Sequence, residues 1–422
     1  MLDSRSNALN ILRKFGDSNV NYVIMRNWEF LTKEVSLGKD IDIVVDSSSV
    51  GKVAKILLKE GYTRERISPY SHHFGYAKYF PRELKLVKFH FHVGGMSGRH
   101  VTYLSAKQLL KRRKKIGKYY VVSPEDLYIS LVLHSPGSKR YTKVVNKLKN
   151  LDAVYLKSNL VNLFGTSFGT KIFESKFSKL NTLKKQIRSK VFWSDPIGAL
   201  YVLGRSALWY IPKLLRGSPV ISFIGMDGSG KTTATSKMID LLKAHRIKSE
   251  LVYVGRGRGN ILPIQFFGRK YKRREKQIDS EYKKCKNVKF SRKLVYSLAA
   301  PVFYLDFLLR YFKVFVSRRT KKLVITDRFA TDFLIMKNVP LWLRKLLYLL
   351  SPKPDVVIYL YNSPKVLYKR KPDHPTGDLE RQDKLYISVL SKVKKVHRIK
   401  SLTKDQTIRD VSEIIFDKII SN

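Results

Sequence analysis

Two sets of side chains have types and spacing suited to chemistry. In the first, an apolar run, Val220–Ile224, leads into Gly225-x-x-x-x-Gly230-Lys231-Thr232. Gly225, Gly228 and Gly230 let consecutive backbone N–H groups close around phosphate oxygens, and the helix that follows points its positive end at them. Asp227, Ser229 and Thr233 complete the loop. Lys231 is placed to reach the β- and γ-phosphates, and Thr232 offers the hydroxyl that holds Mg²⁺. ATP and Mg²⁺ are therefore the expected cofactors. In the second set, Asp40 and Asp42 lie two residues apart, so one face of a strand presents both carboxylates, as a divalent-metal site for nucleotidyl transfer requires. His90 and His92 repeat that spacing, as metal ligands or as partly buried, hydrogen-bonded rings.

Both sets depend on elements that hold them. After the glycine-rich loop, Met238, Leu241 and Leu242 form the apolar stripe of a helix. Strand patterns recur at Glu250–Val254, Lys322–Thr326, Asp355–Leu360 and Val396–Lys400, separated by helical patterns, and the last helix is expected from Gln406 to Ile420. This alternation predicts an α/β, doubly wound parallel sheet over 217–422, with ligands at the carboxyl ends of its strands. The segments beyond those ends are Gly255-Arg256-Gly257-Arg258-Gly259, Asp327-Arg328-Phe329 and Lys369-Arg370-Lys371. Residues 1–105 read as an α+β domain around Asp40 and Asp42, and 106–216 as a basic helical extension and linker.

From 217 to the end the chain resembles the thymidylate kinase superfamily of P-loop kinases, in particular the thymidylate-kinase-like proteins of surface-polysaccharide loci. GMDGSGKTT, VITDRFATDFL, and PDVVIYLYNSPKVLYKRK followed by LERQDKLY carry the likeness. The resemblance implies that Lys231 and Thr232 bind ATP·Mg²⁺, that Asp327 sits near the metal or the acceptor, and that Arg328 and Arg256 clamp an acceptor phosphate. It also implies that Arg370 and Arg381 flank a lid, KPDHPTGDLE, that closes on the transferring phosphoryl group. A planar guanidinium suits that task because it grips phosphate in two-pronged fashion. The family's Glu before the first glycine is Ile224 here, and its Glu-Pro-Gly after the second strand reads Gly-Arg-Gly. The implied acceptor is thus a nucleoside monophosphate or a phosphorylated sugar, thymidylate being one candidate.

Residues 20–140 resemble the nucleotidyltransferase superfamily through Gly38-Lys39-Asp40-Ile41-Asp42, Ser123-Pro124-Glu125-Asp126-Leu127 and His134. The family's Gly-Ser pair is replaced by Met25-Arg26-Asn27, and a third carboxylate has no counterpart. Activity in this half, or a degenerate domain that binds a sugar nucleotide without reacting, are the two readings.

The chain of 422 residues carries 83 Lys and Arg against 33 Asp and Glu, a net charge of +50. Residues 1–216 hold 39 basic and 15 acidic side chains, and residues 217–422 hold 44 and 18, so the charge is not a tail. That spread fits a body meeting polyanions or an anionic membrane, with nucleic acid the weaker option, though it also fits an AT-rich genome that favours lysine. KRRKK (111–115) reads as a solvated or lipid-facing cluster. The stretches 191–215 and 294–316 are interrupted by charge and predict buried or interfacial amphipathic helices, with Asp306 and Arg310 as a helix-surface pair. One cysteine, Cys285, excludes an intrachain disulfide, and the start MLDSRSNALNILRK lacks a signal-type apolar core, so a cytoplasmic location is expected. A dimer remains compatible with the sequence.

Overall fold

The computed structural model describes residues 3–32, 37, 40–65, 73–98, 100–255, 261–263, 286–320, 322–336, 339–372, 376–390 and 395–420. Gly38, Lys39, Arg256, Arg258, 373–375 of the lid-like segment and 268–285 of the basic insertion lie outside these residues. The chain divides into two compact units, Met1–Pro212 with Phe416–Asn422, and Lys213–Ile415.

In the first unit, helix α1 (Ser4–Asp17) is capped by Asp3, which accepts from the Ser6 N–H. It is followed by β1 (Tyr22–Ile24), β2 (Asp40–Val45), α2 (Val50–Lys59), β3 (Thr63–Glu65), β4 (His73–Phe80), β5 (Lys85–Val93), β6 (Gly95–Gly98), β7 (Val101–Ser105) and α3 (Ala106–Arg112). Then come β8 (Lys114–Ile116), β9 (Tyr119–Val121), α4 (Pro124–His134), α5 (Lys139–Val145), α6 (Ala153–Phe164), α7 (Thr166–Glu174), α8 (Leu180–Trp193) and α9 (Pro196–Arg216). Seven strands form a sheet ordered β3-β4-β5-β2-β1-β9-β8. Strict alternation sets the faces of β2. Ile41, Ile43 and Val45 pack with Ala8, Ile11 and Phe15, whereas Val44 packs with Met25, Met96 and Leu109. Asp42 shares the Val44 face, on the side covered by the helices after residue 123.

The region read as a helical extension therefore contributes two strands to this sheet, and KRRKK is not simply a solvated cluster. Arg112 lies 3.6 Å over the Tyr155 ring and 3.2 Å from Glu125. Arg113 stacks 3.8 Å over Tyr120 and donates to the Tyr22 carbonyl. Ser123 caps α4, and the resemblance residues Glu125 and Asp126 are buried in its first turn. Tyr155 donates to Asp126 at 2.7 Å. Burial raises the Asp126 carboxyl above the ordinary range. This acid pair is thus committed to structure.

The second unit runs β10 (Val220–Ile224), α10 (Lys231–Ala244), β11 (Ser249–Tyr253), α11 (Lys286–Arg319), β12 (Leu323–Asp327), α12 (Thr331–Leu334) and α13 (Leu341–Leu350). It continues with β13 (Val356–Tyr361), α14 (Pro364–Arg370), α15 (Thr376–Leu390), β14 (Val396–Lys400) and α16 (Lys404–Ile420). The five strands are all parallel, in the order β11-β12-β10-β13-β14. The first strand in sequence is central, so the chain winds outward in both directions from β10. Its carboxyl end is the crevice where such sheets receive ligands. Every residue of β10 is buried, as a strand covered on both faces must be.

The helix pattern at 294–316 is realised within α11, but Asp306 and Arg310 are not on its surface. They are 0% and 6% exposed and pair at 2.7 Å. Among the described residues no helix is long and apolar enough to cross a membrane.

Candidate functional site

The glycine-rich loop turns from β10 into α10 through backbone that only glycine tolerates. Gly225 has φ +148°, and a methyl there would lie 2.2 Å from the Leu360 carbonyl oxygen. Gly228 has φ +82°, and its methyl would meet the Leu367 carbonyl at 2.7 Å. Both contacts are with backbone, which cannot swing aside. Gly228→Ala is accordingly expected to cost about 1–3 kcal/mol of backbone strain, which lowers the melting temperature of this unit by several degrees. Differential scanning fluorimetry checks it.

Lys231 begins α10 and is 6% exposed. Its Nζ donates to the Met226 carbonyl at 2.6 Å and lies 3.8 Å from the Asp227 carboxylate. Burial, followed by the charge of Arg328, lowers its pKa to about 8. An ammonium so depleted of solvent favours an incoming anion. At the next residue, Thr232 Oγ1 donates to Asp327 Oδ2 at 3.0 Å. Asp327 Oδ1 is buried and accepts no hydrogen bond among the described residues. Asp327 reaches this place because β12 pairs in parallel with β10, setting Asp327 opposite Phe223.

Arg328 follows with φ +73°, a conformation that strains any residue except glycine. Its N–H is fixed to the Phe223 carbonyl at 2.9 Å. Its guanidinium bridges Asp227 at 2.5 Å and Asp332 at 3.5 Å. Asp332 first, then Asp227, hold it charged against the cost of burial. The local pair with Asp332 and the contact with the phosphate loop therefore coexist. Such strain persists where surrounding structure over-determines it, commonly at functional sites.

A cavity of about 300 Å³ opens beside the loop, running from Gly228–Gly230 past Thr233 and Arg370 to Ser401, Thr403 and Lys404. Arg370 is set against its wall by donating to the carbonyls of Ser401 at 2.9 Å and Leu402 at 2.7 Å. Arg381 instead donates to Asp378 at 3.1 Å and to the Ile335 carbonyl at 3.3 Å. The two arginines are thus held by different elements, and only Arg370 lines the cavity. Arg256 lies outside the described residues.

The buried Asp306–Arg310 pair is a positioning device rather than the expected surface pair. Asp306 Oδ1 accepts from the Ile261 and Leu262 N–H groups at 2.7 and 2.9 Å, and Arg310 Nη1 donates to the Gly255 carbonyl. Gly255 in turn has no room for a side chain, since a methyl would lie 2.2 Å from Arg328 Cδ. Gly255, Ile261 and Leu262 are thereby anchored to α11. The signal in the sequence was an i,i+4 ion pair inside an otherwise apolar helix, which is costly unless both charges are satisfied.

In the first unit, the parallel pairing of β2 with β5 sets Asp42 opposite His90 and Val44 opposite His92. Arg26, just after β1, contacts one carboxylate oxygen of Asp42 through Nε at 3.0 Å and Nη2 at 2.7 Å. The other oxygen has His90 Nδ1 at 3.8 Å and His92 Nε2 at 3.9 Å. Burial alone would raise the Asp42 pKa, but the His92 interaction and the Arg26 charge prevail and lower it to about 2. His90 Nε2 lies 3.4 Å from Glu65. Burial opposes the protonated form of His90, yet Glu65, Asp40 and Asp42 together raise its pKa. His134, at the end of α4, is lowered to about 4 by burial and then by Arg26. Arg26 also contacts Tyr141 Oη at 3.3 Å, so the helices after residue 123 close this site.

In this arrangement one carboxylate of the expected two-carboxylate metal site, Asp42, is paired with Arg26. Asp40 and Asp42 start one strand face, and a guanidinium holds one of the two Asp42 carboxylate oxygens. Among the described residues no group of three or more His, Cys, Asp or Glu side chains is placed to hold a metal ion. The residues present do not fit a resident divalent cation here. By contrast, the Thr232 hydroxyl and the unpartnered Asp327 oxygen of the second unit fit one.

A family model described as an uncharacterised nucleotidyltransferase matches residues 34–155. That span covers β2 to β9 and α4 to the start of α6, including Asp42, His90, His92 and His134 but not β1 and Arg26. The match supports a nucleotidyltransferase-like domain in the N-terminal unit. No curated protein matches the chain.

Proposed function

We propose that the Lys213–Ile415 unit is an ATP- and Mg²⁺-dependent phosphotransferase of thymidylate-kinase-like type, acting on a nucleoside monophosphate or a phosphorylated sugar. The observation that carries this reading is the Thr232–Asp327 hydrogen bond beside a buried Lys231 at the end of a glycine-rich loop. ATP would supply the γ-phosphoryl group, and Thr232 and Asp327 would hold a Mg²⁺ ion that offsets its charge. The loop N–H groups and Lys231 orient the phosphates. Arg370, on the cavity wall, is placed to neutralise negative charge that spreads during transfer. Arg328, with Asp227 as its present partner, exchanges that carboxylate for the acceptor's phosphate. An acceptor oxygen bonds to the γ-phosphorus as the bond to the β–γ bridging oxygen breaks, releasing ADP, and the acceptor's proton goes to solvent. Surface-polysaccharide or nucleotide-sugar metabolism is the setting that the sequence resemblance suggests.

The family match supports a second reading, nucleotidyl transfer by the first unit. The two are separated by labelling a panel of nucleoside monophosphates, sugars and sugar phosphates with γ-³²P or α-³²P ATP. The kinase reading expects γ-label only, reduced at least about 100-fold by Asp327→Asn. Transfer of α-label that is lost in Asp42→Asn and kept in Asp327→Asn assigns the chemistry to the first unit instead.

A further inference from the structure

We propose that the second unit docks on an anionic lipid bilayer through the outer face of α11 and α13. The inner face of α11 is core, with Ala300, Phe307, Tyr311 and Val314 buried. The outer face is apolar as well. Leu294, Leu298, Val302, Leu305, Leu309, Phe312 and Val316 are all exposed, Leu298 at 69% and Phe312 at 65%. Their spacing of three and four residues puts them on one stripe, about 33 Å long at 1.5 Å per residue. The adjacent helix α13 exposes Trp342 at 66% and Leu349 at 72%, with Leu346 and Leu350. Apolar exposure on this scale marks an interaction surface.

Charge selects the occupant. Asp306 is the only acidic residue in 286–319, and it is buried. From Phe333 to Pro354 there is no acidic residue. Lys293, Lys313, Arg319 and Lys345 are exposed on these helices, and Arg319 lies 4.9 Å over the Phe315 ring. A second copy of the chain would bring these cations against one another with no exposed carboxylate on α11 or α13 to pair them, although Lys313 also meets Glu250 at 3.3 Å. A nucleic acid would leave the leucines and the tryptophan without a partner. An anionic bilayer satisfies both, its headgroups meeting the cations and its acyl boundary taking the apolar stripe. With no spanning helix among the described residues, the contact is peripheral.

Flotation of the full chain with vesicles of phosphatidylcholine alone, or mixed with phosphatidylglycerol, tests this. The wild-type chain is expected to float with the mixed vesicles and not with the neutral ones. The triple variant Leu298→Ser, Leu305→Ser, Phe312→Ser changes exposed side chains only, and should lose on the order of 100-fold in partition. Lys293→Glu with Lys345→Glu keeps the stripe intact and should lose at least about tenfold. Thermal melting verifies that both variants fold. Wild-type protein that stays unbound at every phosphatidylglycerol content overturns the proposal. So does a concentration-dependent dimer in lipid-free solution that the serine variant abolishes, since that assigns the face to a second copy.

Discussion

Replacing Lys231 by alanine is expected to lower γ-phosphoryl transfer from ATP by at least about 10²–10³-fold, the scale for losing one preorganised group that meets developing charge. The expectation rests on the environment of Lys231 more than on its presence in a motif. Its ammonium is nearly out of solvent and its pKa is lowered to about 8 by burial and by Arg328. Asp227 at 3.8 Å compensates it only in part, because the same carboxylate is held by Arg328 at 2.5 Å. A buried cation with so little compensation does not stabilise the fold, and replacing one by an apolar side chain is commonly neutral or better. The Ala variant should therefore melt at or above the wild-type temperature without ligand, while the ATP-induced rise disappears. An activity loss accompanied by a lower ligand-free melting temperature would make Lys231 structural. Transfer at the wild-type rate would remove the phosphotransferase reading altogether.

The opposite balance is expected at Asp42. Asp42→Ala leaves Arg26 largely buried and unpaired, and should destabilise the first unit by about 3 kcal/mol. That is the lower end for a broken buried pair, because the Arg26 side chain retains 20% exposure. Asp42→Leu combined with Arg26→Met should recover most of the loss, since neither charge then remains. The pH dependence follows from the lowered pKa. Deprotonated Asp42 contributes stability in full above the ordinary carboxylate value of 3.8, and the contribution fades as pH falls toward about 2. Calorimetry of the full chain between pH 7 and pH 3 should show the first-unit transition falling in the wild type and much less in the double variant. Arg26→Ala has a distinct signature: with the guanidinium gone, Asp42 is open to a cation, and Mn²⁺ binding should appear in electron paramagnetic resonance. Mn²⁺ bound equally well by the wild type would overturn the reading of Arg26 as the occupant of that position.

Much of the second unit was legible in the sequence. The five strands lie within a residue or two of their expected positions, and Val396–Lys400 coincides. The glycine-loop pattern was readable because its residue types answer a local requirement. This strand-to-helix turn runs through φ above zero at Gly225, Gly228 and Gly230, which glycine adopts freely. The positions that depended on partners far along the chain were not legible. Nothing near Asp306 in sequence says that its carboxylate will receive the Ile261 and Leu262 N–H groups, so an i,i+4 pair looked superficial. Similarly, KRRKK gives no sign that Arg112 and Arg113 stack on Tyr155 and Tyr120.

The sequence by itself determined the local chemistry of this protein: a glycine-rich turn after a buried strand, two carboxylates on one strand face, and an excess of +50 charges. Tertiary structure alone decided how those groups are used. Parallel pairing of β12 with β10 carries Asp327 to Thr232, whereas β1 carries Arg26 to Asp42, so one carboxylate keeps an oxygen open and the other is neutralised. Helix propensity and periodicity act over a few residues. The field around a charge is set by whichever strands lie beside it, and strand order is a property of the whole sheet.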